Sequence, residues 1–310
     1  MGKATAQPAN RISKYSKRQR AEHVQGYLFL TPGLIVLLIF VAISAFFVIF
    51  LSFNKVNLFT NTYTFVGFKN YLRIANDDMA KIALMNTLRF SVVVVPIQTL
   101  LSIILAVVLN SKIRGKYAFR AILFLPTLTS SSALTMIFMF IFNVNGPVNG
   151  LLQSMGLIQQ GINFLGDPSF ALRVIMVMNI WSTIPYYMTL YLASLQELPA
   201  SMYEAAEIDG ANVVKKFTHI TVPYLKPITT YVLLTGIIGT LQMFDQAYIF
   251  SNGSGGPSNS TLTLSLMIYQ YAFGPQNAMG YAAMLAIVLA VIIFIISFLA
   301  QKLNKYDSDY

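Results

Sequence analysis

The sequence predicts an all-α membrane protein of six transmembrane helices, with the N and C termini both cytoplasmic. Three observations carry this reading. Of 310 residues, 56% are hydrophobic and only 10% are charged, and the mean hydropathy is +0.63. Soluble domains carry roughly 25% charged residues, so a water-exposed globule and a disordered chain are both excluded. Six charge-poor runs each approach the ~20 residues needed to cross the hydrocarbon core. Lysine and arginine fall mostly on one side of those runs.

The spans follow in order. They cover about 27–52, 86–110, 121–143, 172–195, 228–250 and 278–300. The fifth run is interrupted by one acid, Asp245. Residues 1–26 form a basic cytoplasmic tail, 27–301 the six-span domain, and 302–310 a second cytoplasmic tail. Placing both termini inside puts 15 of the 21 lysines and arginines on the cytoplasmic side and at most six outside. Arg89 and Arg173 then sit at the outer edges of their spans. The first apolar run is far longer than the 7–15 residues of a signal-peptide core, so it reads as a retained span. Residues Thr261 to Phe273 are apolar but short, and read as a helix on the outer face rather than a seventh crossing.

What the chain lacks narrows its chemistry. It has no cysteine and two histidines, His23 and His219, so no thiolate or histidine-rich metal site is expected. The spans carry neither a paired carboxylate nor a histidine cluster, which argues against a membrane enzyme. No phosphate-binding G-x-x-x-x-G-K-[ST] run occurs, so no nucleotide or other cofactor is expected on this chain. The net charge of +10 lies in short segments between spans. It fits contact with anionic lipid rather than nucleic acid.

The segment 198–227 is too polar to be an idle connector. Pro199 is placed to open a helix, and Gly210 to end it with a turn. A second short helix is expected over about Asn212 to His219, and Pro223 and Pro227 then lead into the fifth span. Two short helices at a sharp angle make a knob projecting from the membrane.

The residues of this knob have a recognisable spacing. Glu204-Ala205-Ala206, three residues, Gly210, nine residues, Ile220, one residue, then Val222-Pro223 resembles the EAA signature of carbohydrate-type ABC importer permeases. The departure is Val222 in place of leucine. Leu198-Pro199 and Asp209-Gly210-Ala211 agree with the same subfamily. So do Gly26-Tyr27-Leu28 with Pro32, Trp181 with Pro185-Tyr186, and Gly280-Tyr281-Ala282-Ala283. The resemblance is to six-span, first-permease members of the maltose, multiple-sugar and glycerol-phosphate group.

The resemblance implies a type I ABC importer permease fold in a bacterial or archaeal cell membrane. It implies one half of an alternating-access path for a sugar, with no catalysis by this chain. The implied partners are a second related permease, two cytoplasmic ATPase subunits on which ATP and Mg act, and an extracytoplasmic sugar-binding protein. Glu204, Ala205, Ala206, Asp209 and Gly210 become the candidate ATPase-coupling residues, with Glu204 as the electrostatic contact and Gly210 as the hinge. Polar groups inside a span are costly and often functional. The resemblance also implies that the helices on either side of the knob line the sugar path, so the candidates are Ser182, Thr183 and Tyr186 in the fourth span, and Gly239, Thr240, Met243 and Asp245 in the fifth. Helix–helix packing is the competing reading for the small and hydroxyl residues. Two other transport readings stay open. One is a glycerol-phosphate-type importer, for which Arg89 and Arg173 are the available cations. The other is an ion-coupled secondary transporter, for which no clear repeat is visible.

Overall fold

The computed structural model of the chain describes residues 17–57, 62–111 and 114–303. Most of the expected basic tail, and all but the first residues of the C-terminal tail, lie outside them. Two compact units are present, dividing at Phe50 and Leu51.

The described residues of the first unit form one long, mostly apolar helix, whose last two residues belong to the second unit. It comprises α1 (Lys17–Leu37), a π-helical stretch Leu38–Ile43 and α2 (Ser44–Ser52). It begins ten residues before the expected start at Tyr27. Side chains from Tyr27 to Phe50 are nearly all exposed, as suits a helix whose surroundings are lipid or another chain.

The second unit opens with a short hairpin, β1 (Asn54–Asn57) antiparallel to β2 (Thr62–Phe65), in register Asn54↔Phe65 and Val56↔Tyr63. This corrects the all-α expectation in a small way. The β-favouring run Thr62-Tyr63-Thr64-Phe65 finds a partner outside the spans. Next come α3 (Lys69–Ala75) and α4 (Asp78–Asn110). The α4 helix starts eight residues earlier than expected because Asp77 caps it, accepting from the Met79 and Ala80 amides at 3.0 and 3.2 Å. Arg89 therefore lies inside a helix rather than at its end.

The third expected span, 121–143, is corrected. It is not one helix. It comprises α5 (Lys116–Phe124), a 3₁₀ turn Leu125–Leu128 and α6 (Ser131–Ile141), bent by 103°. Pro126 removes a backbone donor, and the Ser130 side chain caps α6 by accepting from the Ala133 amide. The broken segment still links two ends of the bundle. Leu123 packs with Leu192 and Leu195, whereas Phe142 meets Phe164, which meets Phe170.

The remaining elements are α7 (Pro147–Ser154), α8 (Pro168–Glu197), α9 (Ala200–Ile208), α10 (Val213–Lys216), α11 (Val222–Tyr224), α12 (Lys226–Leu241), α13 (Asp245–Ser251), α14 (Leu264–Phe273) and α15 (Met279–Leu303). The fifth expected span, 228–250, is broken between α12 and α13. The break frees the Met243 carbonyl, and the Thr263 hydroxyl donates to it at 2.9 Å. The α14 helix has 10 residues, too short to cross, as expected for that segment.

Among the described residues four helical segments, α12–α13 taken as one, are long and apolar enough to cross a membrane, or five if the bent α5–α6 pair is one span. The α8 helix has 30 residues, about 45 Å at 1.5 Å each, but its polar side chains keep it below that standard of apolarity.

Side-chain bonds give the directions. Gln98 meets Thr183, and Ser102 donates to the Ile184 carbonyl, so α4 and α8 run parallel. Ser91 meets Thr240, and Tyr191 donates to Thr229, so α12 runs against both. The main core joins α4, α8, α14 and α15 around Phe90, Ile175, Leu266, Met267 and Met284. Gly280 lets α15 press onto the chain at Asn54, whose carbonyl oxygen a Cβ there would overlap. Gly280→Ala is expected to cost about 1–3 kcal/mol through overpacking. Gly239→Ala, at a position with no other atom within 4 Å of a Cβ, should leave stability unchanged or raised. Thermal melting of the two variants in detergent checks this contrast, and equal melting points would refute the close approach at Gly280.

Candidate translocation cleft and coupling hairpin

The α9–α10 hairpin is built from local rules. Pro199 stands at the N-cap of α9, and Gly210 takes φ +74°, which a side chain would strain. The Asn212 side chain caps α10 by accepting from the Lys215 amide at 2.8 Å. Beyond Lys216 the helix does not stop at His219. It continues through a π-helical stretch Phe217–Thr221 into α11, which contains Pro223. Tyr203 and Thr221 share a hydrogen bond of 2.8 Å that clamps the two arms.

Charge is distributed unevenly over the hairpin. Lys216 Nζ donates to Glu207 at 2.6 Å. That bond and the lysine's charge hold the Glu207 carboxyl below its ordinary range. The brace therefore persists above the ordinary carboxylate pKa and is lost as pH falls through the lowered value. Glu204 and Asp209 are exposed and make no ion pair among the described residues. Ala205 is exposed and Ala206 half-buried. Beside these acids, Ile208 and Val213 are 88% and 78% exposed. A hairpin presenting unpaired carboxylates around bare aliphatic side chains has the form of a plug for a complementary cleft.

The substrate-path candidates separate into three environments. Ser182, Thr183 and Tyr186 line a cleft of about 340 Å³ together with Thr127, Thr129 and Gln246. Thr183 Oγ1 also donates to Gln98 Oε1 at 2.8 Å. Thr240 and Met243 are buried: Thr240 is held 2.8 Å from the Ser91 hydroxyl, and Met243 packs in the main core. Gly239 and Asp245 are exposed on the other side of the same segment, and Asp245 opens α13. Trp181 leans on Phe138 at 5.6 Å between ring centroids, and half of it stays exposed.

Sequence reasoning missed Gln98, the hydrogen-bond partner of Thr183, and the residues that complete the cleft. Gln98 is buried, and its Nε2 makes no hydrogen bond among the described residues. The only available cue was an amide in an otherwise apolar run. Thr127, Thr129 and Ser131 come from the break in the third span, which a straight helix would have pointed elsewhere.

Burial separates packing from path in a testable way. Thr240→Val should lower the melting temperature by the equivalent of about 1 kcal/mol, because Ser91 loses its partner. It should leave the apparent affinity for transported substrate unchanged. Tyr186→Ala should do the reverse. Uptake and melting curves on both variants decide it.

The comparisons agree with this geometry. Residues 98–305 match the family model described as binding-protein-dependent transport system inner membrane component. The lactose transport system permease protein LacF of Rhizobium radiobacter is 38% identical over 92% of this chain and 95% of its own length. The multiple sugar-binding transport system permease protein MsmF of Streptococcus mutans is 35% identical over 90% and 95%. The trehalose/maltose transport system permease protein MalF of Thermococcus litoralis is 32% identical over 95% and 98%. In fold, the chain resembles one in a crystal structure of a bacterial alginate ABC transporter in complex with alginate pentasaccharide-bound periplasmic protein. That likeness has a TM-score of 0.80 at 21% identity, and covers 93% of this chain and 96% of the other. With two thirds of its length matched by the family model and near full-length relatives above 30% identity, the chain belongs to the binding-protein-dependent transport system inner membrane components, the permease subunits of such importers.

Proposed function

We propose that this chain is one permease subunit of an ATP-driven sugar importer, most suited to oligosaccharides. The observation that carries the proposal is the coupling hairpin, whose spaced Glu204…Gly210 pattern folds into a clamped, exposed plug on a permease fold. The names of the relatives support a sugar as cargo. The cleft supports it too. Hydroxyls of Ser182, Thr183, Thr127 and Thr129, the Gln246 amide and the Tyr186 ring offer hydrogen bonds and a flat surface, the two features a sugar ring needs.

In this reading the chain crosses six times, with α8 as the crossing that is long enough but polar, and both termini are cytoplasmic. It sits in a bacterial or archaeal cell membrane. A second, related permease supplies the other half of the path, and an extracytoplasmic binding protein delivers the sugar. The hairpin docks in one of two ATPase subunits, which bind ATP and Mg. Glu204 meets a cation there, Ile208 and Val213 fill the apolar part of the cleft, and Gly210 fixes the angle between arms. Closing of the ATPases draws the hairpins together and opens the path outward. Hydrolysis resets it.

Glu204→Lys should abolish sugar uptake, to below about a tenth of wild type, since reversing one charge of a buried pair costs several kcal/mol. Membrane insertion should be unaffected. Normal uptake by that variant sinks the coupling role. Asp245→Asn should change uptake kinetics if its exposed carboxylate faces the path; unchanged kinetics would return Asp245 to a purely interfacial position.

A further inference from the structure

In the basic pocket beside the hairpin β1–β2, Arg73 is already engaged, with its guanidinium 4.1 Å from the Tyr281 ring centre. A larger cavity lies on the flank of the α4–α8 pair. It measures about 720 Å³ and is lined by Arg89 and Arg173, with Ile82, Val93 and Met176 along its apolar wall. The two arginines stand 84 positions apart in the chain and are brought together by the parallel course of α4 and α8. Neither is paired with a carboxylate among the described residues. Arg173 rests only on the face of Phe170, 5.6 Å from the ring centre. The rim is the loop Ser258 to Ser260, held down by Asn86, which donates to the Asn259 and Leu262 carbonyls at 2.8 and 3.0 Å. The Ser260 hydroxyl is buried there and makes no hydrogen bond.

Depth decides what anion this cavity takes. Arg89 and Arg173 immediately precede the charge-free stretches Phe90 to Ser111 and Val174 to Gln196. Each stretch is just over the ~20 residues that cover the hydrocarbon core. On the six-span reading, both guanidinium groups lie at the level of lipid phosphates, at the membrane face away from the α9–α10 hairpin. Two unneutralised arginines at that depth need a counter-anion. Guanidinium forks match phosphate oxygens in pairs. The apolar wall runs on along α4 through exposed Val92, Ile97 and Leu100, the direction acyl chains take from a headgroup.

We propose that this cavity is a binding site for the phosphodiester headgroup of an anionic phospholipid, gripped by Arg89 and Arg173. Free phosphate shares the headgroup chemistry but gains nothing from the apolar wall.

The test uses the intact importer complex in detergent, observed by native mass spectrometry while phosphatidylglycerol or phosphatidylcholine is added. Wild type should retain phosphatidylglycerol in preference to phosphatidylcholine. Arg89→Gln combined with Arg173→Gln should weaken phosphatidylglycerol retention at least about tenfold, and Lys69→Gln, outside the cavity, should not. Val93→Trp, which fills the cavity without touching a charge, should also displace the lipid, and covers the case in which the double variant fails to assemble. Equal retention by wild type and the altered complexes overturns the proposal. Millimolar inorganic phosphate should not displace the lipid; if it does so completely, the site is one for free phosphate and the lipid assignment falls.

Discussion

A chain folded within hydrocarbon must satisfy its polar groups with its own atoms, and the α4–α8–α12 contact is where this one does so. Gln98 reaches Thr183, Ser102 reaches the Ile184 carbonyl, and Ser91 reaches Thr240. These bonds join helices rather than residues near in sequence, so they fix which helices are neighbours and at what height. The apolar side chains of the same helices would pack about as well on lipid. Polar pairing supplies the register, and close packing around residues such as Gly280 holds it.

The same constraint explains where helices break. Irregular backbone at membrane depth persists only if it is buried or lines a cavity. The Leu125–Leu128 turn turns its Thr127 and Thr129 toward the cleft. The gap between α12 and α13 is closed by Thr263. Both interruptions sit beside Ser182, Thr183 and Tyr186 or just above them in the bundle. The hydroxyl-lined cleft and the breaks in the two segments that border it are thus one arrangement.

Outside the bundle, the hairpin at 200–224 obeys ordinary helix-capping rules. Its Glu207–Lys216 brace and Tyr203–Thr221 clamp make it a preformed unit. Preformed elements bind with less ordering cost. That suits the docking role proposed for it.

Much of this was legible in sequence for clear reasons. The approximate positions of the long apolar helices follow from charge-free run length, and the hairpin follows from Pro199, Gly210 and Asn212, whose backbone preferences are local. The spaced Glu204…Pro223 pattern carried the family. The tertiary structure decided what depends on residues far apart in the chain. It broke the 121–143 run at Ser130, extended α4 back to its Asp77 cap, and set Thr240 and Met243 into the core while leaving Ser182 and Tyr186 on the cleft. It also set Arg89 and Arg173 on the lining of one cavity. Composition and periodicity determine which segments enter the membrane, because transfer energy is a property of each segment alone. Which faces then meet, and so which polar groups are packing and which are free for a ligand, is decided only when every helix has chosen its neighbours.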